Sequence, residues 1–220
     1  MQVRRLSANT RKGDSDSQAF FIGARFMSLV YGIGIYEKGR HPATLNNRPT
    51  KYYKMWSSML HRCYSPLSLE LKPTYEKVTV EGSFLEFQRF CDWLDIHYVD
   101  GWSLDKDIIF PGNQIYREER CCFVPMIINT QLNHNRISRG PWPTGVTRCS
   151  TGKFLSKISR DSRTVNIGRH DTPESARAAY LIAKRAYLDE LCERYRHQLS
   201  PEVAAAILKF PIEEDFHGIA

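Results

Sequence analysis

The sequence predicts an α+β protein of two small domains, and three observations carry that prediction. Residues 104–133 read as strand, turn, strand and short helix. Residues 144–196 read as three short strands and then a helix, a different pattern with its own turn signals. Between them, residues 134–143 combine Arg136, Arg139, Gly140, Pro141 and Pro143 without apolar periodicity, the composition of a basic linker. At 220 residues, with 42% hydrophobic and 25% charged side chains, the chain has the size and composition of one large globular domain or two small ones.

Taken in order, residues 1–18 hold Arg4, Arg5, Arg11 and Lys12 among few apolar groups and predict a flexible basic arm. Residues 19–133 form the first expected domain. It opens on Phe20, Phe21, Ile22, Phe26, Leu29 and Val30, and the glycine-spaced run 32–36 is strand-like. Residues 38–50, with Pro42, Asn46, Asn47 and Pro49, predict a loop. In 51–64, Trp56, Met59, Leu60 and Cys63 fall at i, i+3, i+4 and i+7, one apolar stripe of a helix. A loop over 65–73 and an edge strand over 75–80, with Val78 and Val80 inward, follow. Ser83 and Glu86 have the spacing of a capping box, opening a helix to about Leu94. Its Phe84, Phe87, Phe90, Cys91, Trp93 and Leu94 cover more than one face, which predicts deep burial.

In the central stretch, Leu104, Ile108 and Ile109 mark a strand crossed by charges. Pro111-Gly112-Asn113 is a turn signal, and 121–124 is a second strand. Pro125 then opens a helix carrying Ile127, Ile128 and Leu132. Past the linker, residues 144–196 form the second expected domain. Gly145-Val146 begins a strand and Ser150-Thr151-Gly152 turns it. The next strand places Phe154, Ser156 and Ile158 on one face and Lys153, Leu155 and Lys157 on the other. A third strand covers 164–168. Thr172 caps a helix with Pro173 at its first position, and Ala176, Ala179, Tyr180, Ala183 and Tyr187 form its inward stripe. Residues 197–220 hold a last helix opened by Ser200-Pro201 and an acidic tail of Glu213, Glu214 and Asp215.

The net charge of +7 points to a polyanionic partner. Between His134 and His170, Arg136, Arg139, Arg148, Lys153, Lys157, Arg160, Arg163 and Arg169 face Asp161 alone, eight positive charges to one negative. Phosphate contacts need such a stripe. No apolar run approaches the roughly 20 residues of a membrane-spanning helix, so no membrane role is expected. The six cysteines form no Cys-x-x-Cys pair, and free thiols in a reducing cytoplasm are expected. Core packing is the default for Cys63, Cys91 and Cys121; a zinc site built on Cys63, Cys121 and a histidine is the less favoured reading.

Asp105 and Asp107 on one strand, opposite a helix bearing Asn129 and Asn133, have the layout in which a divalent cation grips a scissile phosphate. Mg²⁺ or another divalent metal would take Asp105, Asp107 and Asn129 as ligands. Water would be activated by the metal or by a histidine such as His61 or His134. An ion pair of Asp105 and Lys106 on an exposed strand is the structural alternative.

The series Trp56, Met59, Arg62-Cys63-Tyr64, Tyr75, Val78, Val80, Phe84, Phe87 and Trp93 continues as Leu104-Asp105-Lys106-Asp107, Gly112-Asn113, Tyr116, Cys121, Pro125, Asn129 and Asn133. It resembles the HNH-like proteins of tailed phages. Gly145-Val146, Gly152-Lys153-Phe154, Ile167-Gly168 and Ala178-Ala179-Tyr180 resemble an AP2 domain, which follows the HNH-like half in many of those proteins. The resemblance implies a ββα-containing first domain with a catalytic set of Asp105, Lys106, Asp107 and Asn129. It implies a second domain that lays its outer sheet face in the DNA major groove. Lys106 stands where active relatives carry the water-activating histidine, and a protonated lysine is a poor general base. Arg120 stands where the motif has its middle asparagine. In the AP2-like part, Lys153 matches the contact set, while Thr144, Thr147, Cys149 and Asn166 depart from it.

The expected DNA-binding residues are Arg136, Arg139, Arg148, Lys153, Lys157, Arg160, Arg163 and Asn166, the last of a type that reads an adenine edge. The expected function is double-stranded DNA binding by a basic AP2-like sheet beside a degenerate HNH-like domain. A divalent-metal-dependent HNH or homing-type endonuclease or nickase is the alternative. A protein-binding phage factor acting on a host enzyme is the third reading.

Overall fold

The computed structural model describes residues 18–22, 25–132 and 141–212. The expected arm, apart from Gln18, lies outside them, as do Asn133, residues 134–140 of the expected linker and the acidic tail. The chain is mixed α+β, and its contacts divide it into two compact units. One takes the residues up to 98 together with 112–121; the other takes 99–111 together with everything from 122 onward.

In the first unit, β1 (Gln18–Ile22), β2 (Arg25–Val30) and β3 (Gly34–Glu37) form an antiparallel meander. The expected loop 38–50 contains a two-residue hairpin, β4 (Thr44–Leu45) and β5 (Arg48–Pro49). Its turn residues Asn46 and Asn47 both have positive φ, 50° and 58°, a conformation that asparagine tolerates. Helix α1 (Lys51–Tyr64) starts where Thr50 accepts a hydrogen bond from the Tyr53 N–H, and its predicted stripe of Trp56, Met59, Leu60 and Cys63 is buried. A Cβ at Gly34 would stand 2.2 Å from Leu60 Cδ1, so only glycine lets β3 approach α1 this closely.

Three expectations change beyond α1. The predicted loop over 65–73 contains α2 (Pro66–Leu71), opened by the same Ser-Pro pair that opens the last helix. The predicted strand shrinks to β6 (Thr79–Val80), preceded by a 3₁₀ turn at Pro73–Tyr75. The capping box does not form: Ser83 sits in a 3₁₀ turn, Gly82–Leu85, and its hydroxyl donates to the Glu118 carboxylate. Helix α3 (Phe87–His97) therefore starts later than predicted, with Glu86 as its N-cap and no side-chain capping bond. Its aromatic faces are buried as expected: Trp56 lies 5.3 Å from Phe87, and Phe84 packs edge-on to Phe90 at 4.9 Å. The chain then gives β7 (Trp102–Asp105) to the second unit and returns with β8 (Ile115–Tyr116), which pairs parallel to β6.

In the second unit, β7 pairs antiparallel with β9 (Cys122–Pro125), and α4 (Met126–Leu132) follows directly. Pro125 ends the strand and does not open the helix. A second sheet, β10 (Val146–Arg148), β11 (Phe154–Arg160) and β12 (Arg163–His170), is antiparallel in that order. The long helix α5 (Pro173–Arg194) packs on it, capped by Thr172 as predicted, and α6 (Pro201–Lys209) starts at Ser200. Of the predicted α5 stripe, Ala176, Tyr180 and Tyr187 are buried, while Ala179 and Ala183 are half-buried. Leu188, Leu191 and two cations, Arg177 and Lys184, are buried with them. The Arg177 guanidinium donates to Thr144 O at 2.9 Å, which supplies a partner for a charge that burial would otherwise penalise.

One core joins the two sheets of this unit: Ile108, Val124, Ile128 and Leu132 pack with Ile158, Tyr187, Leu188, Leu191 and Ile207. The ββα segment thus shares its hydrophobic core with the three-stranded sheet and α5, whereas the sequence had placed a domain break at 134–143.

All six cysteines are free thiols. Burial pushes the Cys91 thiol up to about 12 and that of Cys192 up to about 11, so both pack as apolar groups. Among the described residues, no helix is long and apolar enough to cross a membrane.

Candidate functional site

The outer face of the β10–β11–β12 sheet is built by strand alternation and one bulge. Phe154, Ser156 and Ile158 turn to α5 and are buried, so Leu155, Lys157 and Ser159 turn away from it. Across the β11–β12 pair, Lys157 stands opposite Asn166, Leu155 opposite Arg169 and Ser159 opposite Thr164. The register shifts at Ser156/Lys157: Ser156 meets Gly168, Lys157 meets Asn166, and Ile167 is left over to pack on the core. Asn166 and Arg169, three residues apart, therefore share one face. Regular alternation would have put them on opposite faces, and the strand expected over 164–168 stopped short of Arg169, which entered the sequence reading as charge alone.

The expected DNA-binding residues separate cleanly. Lys157 and Asn166 lie opposite one another on the outer face; Arg148 and Arg163 are exposed at strand ends, but they stand opposite Phe154 and Arg160, on the α5 side of the sheet. None of Lys157, Asn166, Arg148 and Arg163, nor Arg169, forms an ion pair with a described acidic residue. Lys153 is exposed and pairs with Asp171 at 3.0 Å. Arg160 is a correction: it belongs to the α5 side, where it pairs with Glu190 and lies over the Tyr187 ring at 4.6 Å. The alternation that buries residues 154, 156 and 158 sends residue 160 the same way. Asp161, the one acid in the stripe, is held by Arg194 at 2.8 Å, and that hydrogen bond keeps its carboxyl below the usual range. Arg136 and Arg139 lie outside the described residues.

No acidic residue occurs in any of the three strands, which carry Arg148, Lys157, Arg160, Arg163 and Arg169. Strands about 4.8 Å apart make a three-stranded sheet roughly 10 Å across. A major groove about 12 Å wide admits a strand ribbon.

The second candidate is the pair of carboxylates on and after β7. Asp105 is buried, and its Oδ1 accepts the backbone N–H of Asp107 at 2.7 Å and of Ile108 at 2.9 Å. This is an Asx turn, in which the carboxylate shapes the backbone that leaves the strand. Burial raises the Asp105 pKa, opposed by those two N–H donors. The Lys106 ammonium is buried and donates to both oxygens of Asp107, each at 2.8 Å. Asn129 is half-buried on α4, and Asn133 and His134 lie outside the described residues.

A divalent ion wants free carboxylate oxygens and a pocket of negative potential. Here one carboxylate is engaged by backbone donors and the other is neutralised by an adjacent ammonium. These residues fit a structural turn and do not fit a cation cradle. His61, the other histidine considered for water activation, is on α1 in the first unit, at 5.5 Å from Tyr31. Neither a family model, nor a curated protein, nor a solved structure matches this chain.

Proposed function

We propose that the chain binds double-stranded DNA through the outer face of the β10–β11–β12 sheet. Lys157 and Arg169 would contact phosphates from that face, and Asn166 would face a base edge. The observation that carries this reading is the acid-free sheet whose outward cations have no acidic partner among the described residues, while Arg160 and Arg194 are neutralised on the helix side. A surface whose cations are all paired has nothing to exchange with phosphate; this one keeps its own available.

The test is duplex binding by fluorescence anisotropy across a salt series. Each phosphate contact adds about −0.9 to the slope of log affinity against log salt. The Lys157→Ala/Arg169→Ala variant is expected to flatten that slope by roughly 2 and to weaken binding at every sequence. Arg160→Ala is expected to leave the slope unchanged. An unaltered slope in the double variant would reject this face.

The bonding of Asp105, Lys106 and Asp107 supports a ββα segment that serves the fold and performs no hydrolysis. Plasmid nicking in Mg²⁺ or Mn²⁺ that disappears in Asp105→Asn would overturn that part.

A further inference from the structure

A different cluster, in the first unit, has the geometry of a metal centre. Helix α3 presents Gln88, Asp92 and Asp95 at i, i+4 and i+7, on one face. Gln88 grips the backbone of the preceding loop: its Oε1 accepts the His41 N–H at 3.0 Å, and its amide donates to Glu37 O at 3.1 Å and to His41 O at 3.0 Å. Gly39 makes this possible, since a Cβ there would stand 2.6 Å from the Gln88 side chain. The clamp fixes His41, whose imidazole is buried and packs on the Tyr52 ring at 5.2 Å.

His41 Nε2 lies 3.2 Å from Asp92 Oδ1 and 3.5 Å from Asp95 Oδ2, and one ligand atom from each residue lies within 4.8 Å of the others. Zinc-type bonds of about 2.0 Å in a tetrahedron separate ligand atoms by about 3.3 Å. A single nitrogen marks the point of convergence. Arg40 Nη2 is 2.8 Å from Asp92 Oδ1, 2.9 Å from Asp95 Oδ2 and 3.0 Å from His41 Nε2. That nitrogen has two hydrogens for three acceptors. Nε2 also accepts from Arg40 Nε at 3.1 Å, so its lone pair points into the cluster. The guanidinium stands in for a cation. Arg40 is 68% exposed, so it can leave without disturbing the core. Tyr52 adds a fourth oxygen nearby, donating to Asp95 Oδ1 at 2.6 Å.

We propose that His41, Asp92 and Asp95 form a binding site for a divalent transition-metal ion, with Arg40 as its built-in competitor. One imidazole and two carboxylates suit Zn²⁺, Co²⁺ or Mn²⁺, and the fourth position is open to solvent. The ion takes over the three lone pairs, and the guanidinium swings outward. This site is separate from the sheet and does not depend on the DNA reading.

Co²⁺ is the probe, titrated into the full chain and followed by visible absorption, with Zn²⁺ as competitor. The expected result is one ion per chain, with d–d bands and no near-ultraviolet sulfur charge transfer, which separates this site from the six thiols. Arg40→Ala should tighten binding by about tenfold or more, and Asp92→Asn/Asp95→Asn should weaken it by about a hundredfold. Both carboxylates are at the surface, so the double variant should keep its far-ultraviolet circular dichroism; Arg40→Ala decides the matter if it does not. Absence of stoichiometric binding in Arg40→Ala, or parental binding in the double variant, would overturn the assignment and leave an arginine–carboxylate clamp.

Discussion

Asp105 shows how a residue type that suggests catalysis can be spent on the backbone. Its carboxyl is raised chiefly by burial, so the folded state holds that proton more tightly than the unfolded chain does. Stability should therefore fall as pH rises from the ordinary carboxylate range through the folded value, with the cost complete above it. Asp105→Asn keeps an oxygen for the Asp107 and Ile108 N–H groups and carries no charge. Urea denaturation between about pH 4 and pH 7 should show a shallower decline for this variant than for the parent. Gly145 is constrained differently. Its φ is +84°, and a Cβ there would lie 2.1 Å from Tyr180 Cδ2. Gly145→Ala should cost about 2–4 kcal/mol, combining overpacking with left-handed backbone strain, read as a fall in the urea midpoint. The sequence showed Gly145-Val146 as a strand start. It could not show that the glycine exists for an aromatic ring 35 residues away.

At the level of elements, the sequence was most legible where a local signal had no competitor. Thr172-Pro173 and Ser200-Pro201 open helices as read, and the Trp56 stripe is buried as read. Ser83 failed because Glu118, distant in sequence, takes its hydroxyl. Thr172 keeps its capping bond to the Ser175 N–H at 3.2 Å. Thr172→Ala should therefore destabilise by about 1 kcal/mol, while Ser83→Ala should leave the helicity of α3 unchanged; circular dichroism and chemical melts compare the two. The bulge in β12 was invisible because period-2 reasoning assumes an unbroken ladder. It decides which of the late cations sit on the outer face. The His41 cluster was missed for a related reason. Its signal, polar residues at helical spacing in 88–95, lies on an α3 whose aromatics dominated the pattern, and its histidine comes from a different element.

Across the molecule, the contacts divide the chain into two units whose bounds differ from those the sequence suggested. Ile108, Val124, Ile128 and Leu132 complete the core under α5 and α6, so residues 141–212 alone lack one side of their hydrophobic interior. A fragment of 141–212 should show no cooperative unfolding transition, whereas 99–212 should show one, in a urea titration followed by tryptophan fluorescence. The sequence misplaced the break because proline and glycine at 140–143 mark where regular structure stops, not which cores adjoin. The chain changes unit at 98/99, at 111/112 and again at 121/122. A gene cut at 98/99 would leave the second unit whole in its back half and the first unit without 112–121 in its front half. Recombination could pass the second unit on as one continuous segment, whereas the first would leave behind the ten residues, 112–121, that complete it.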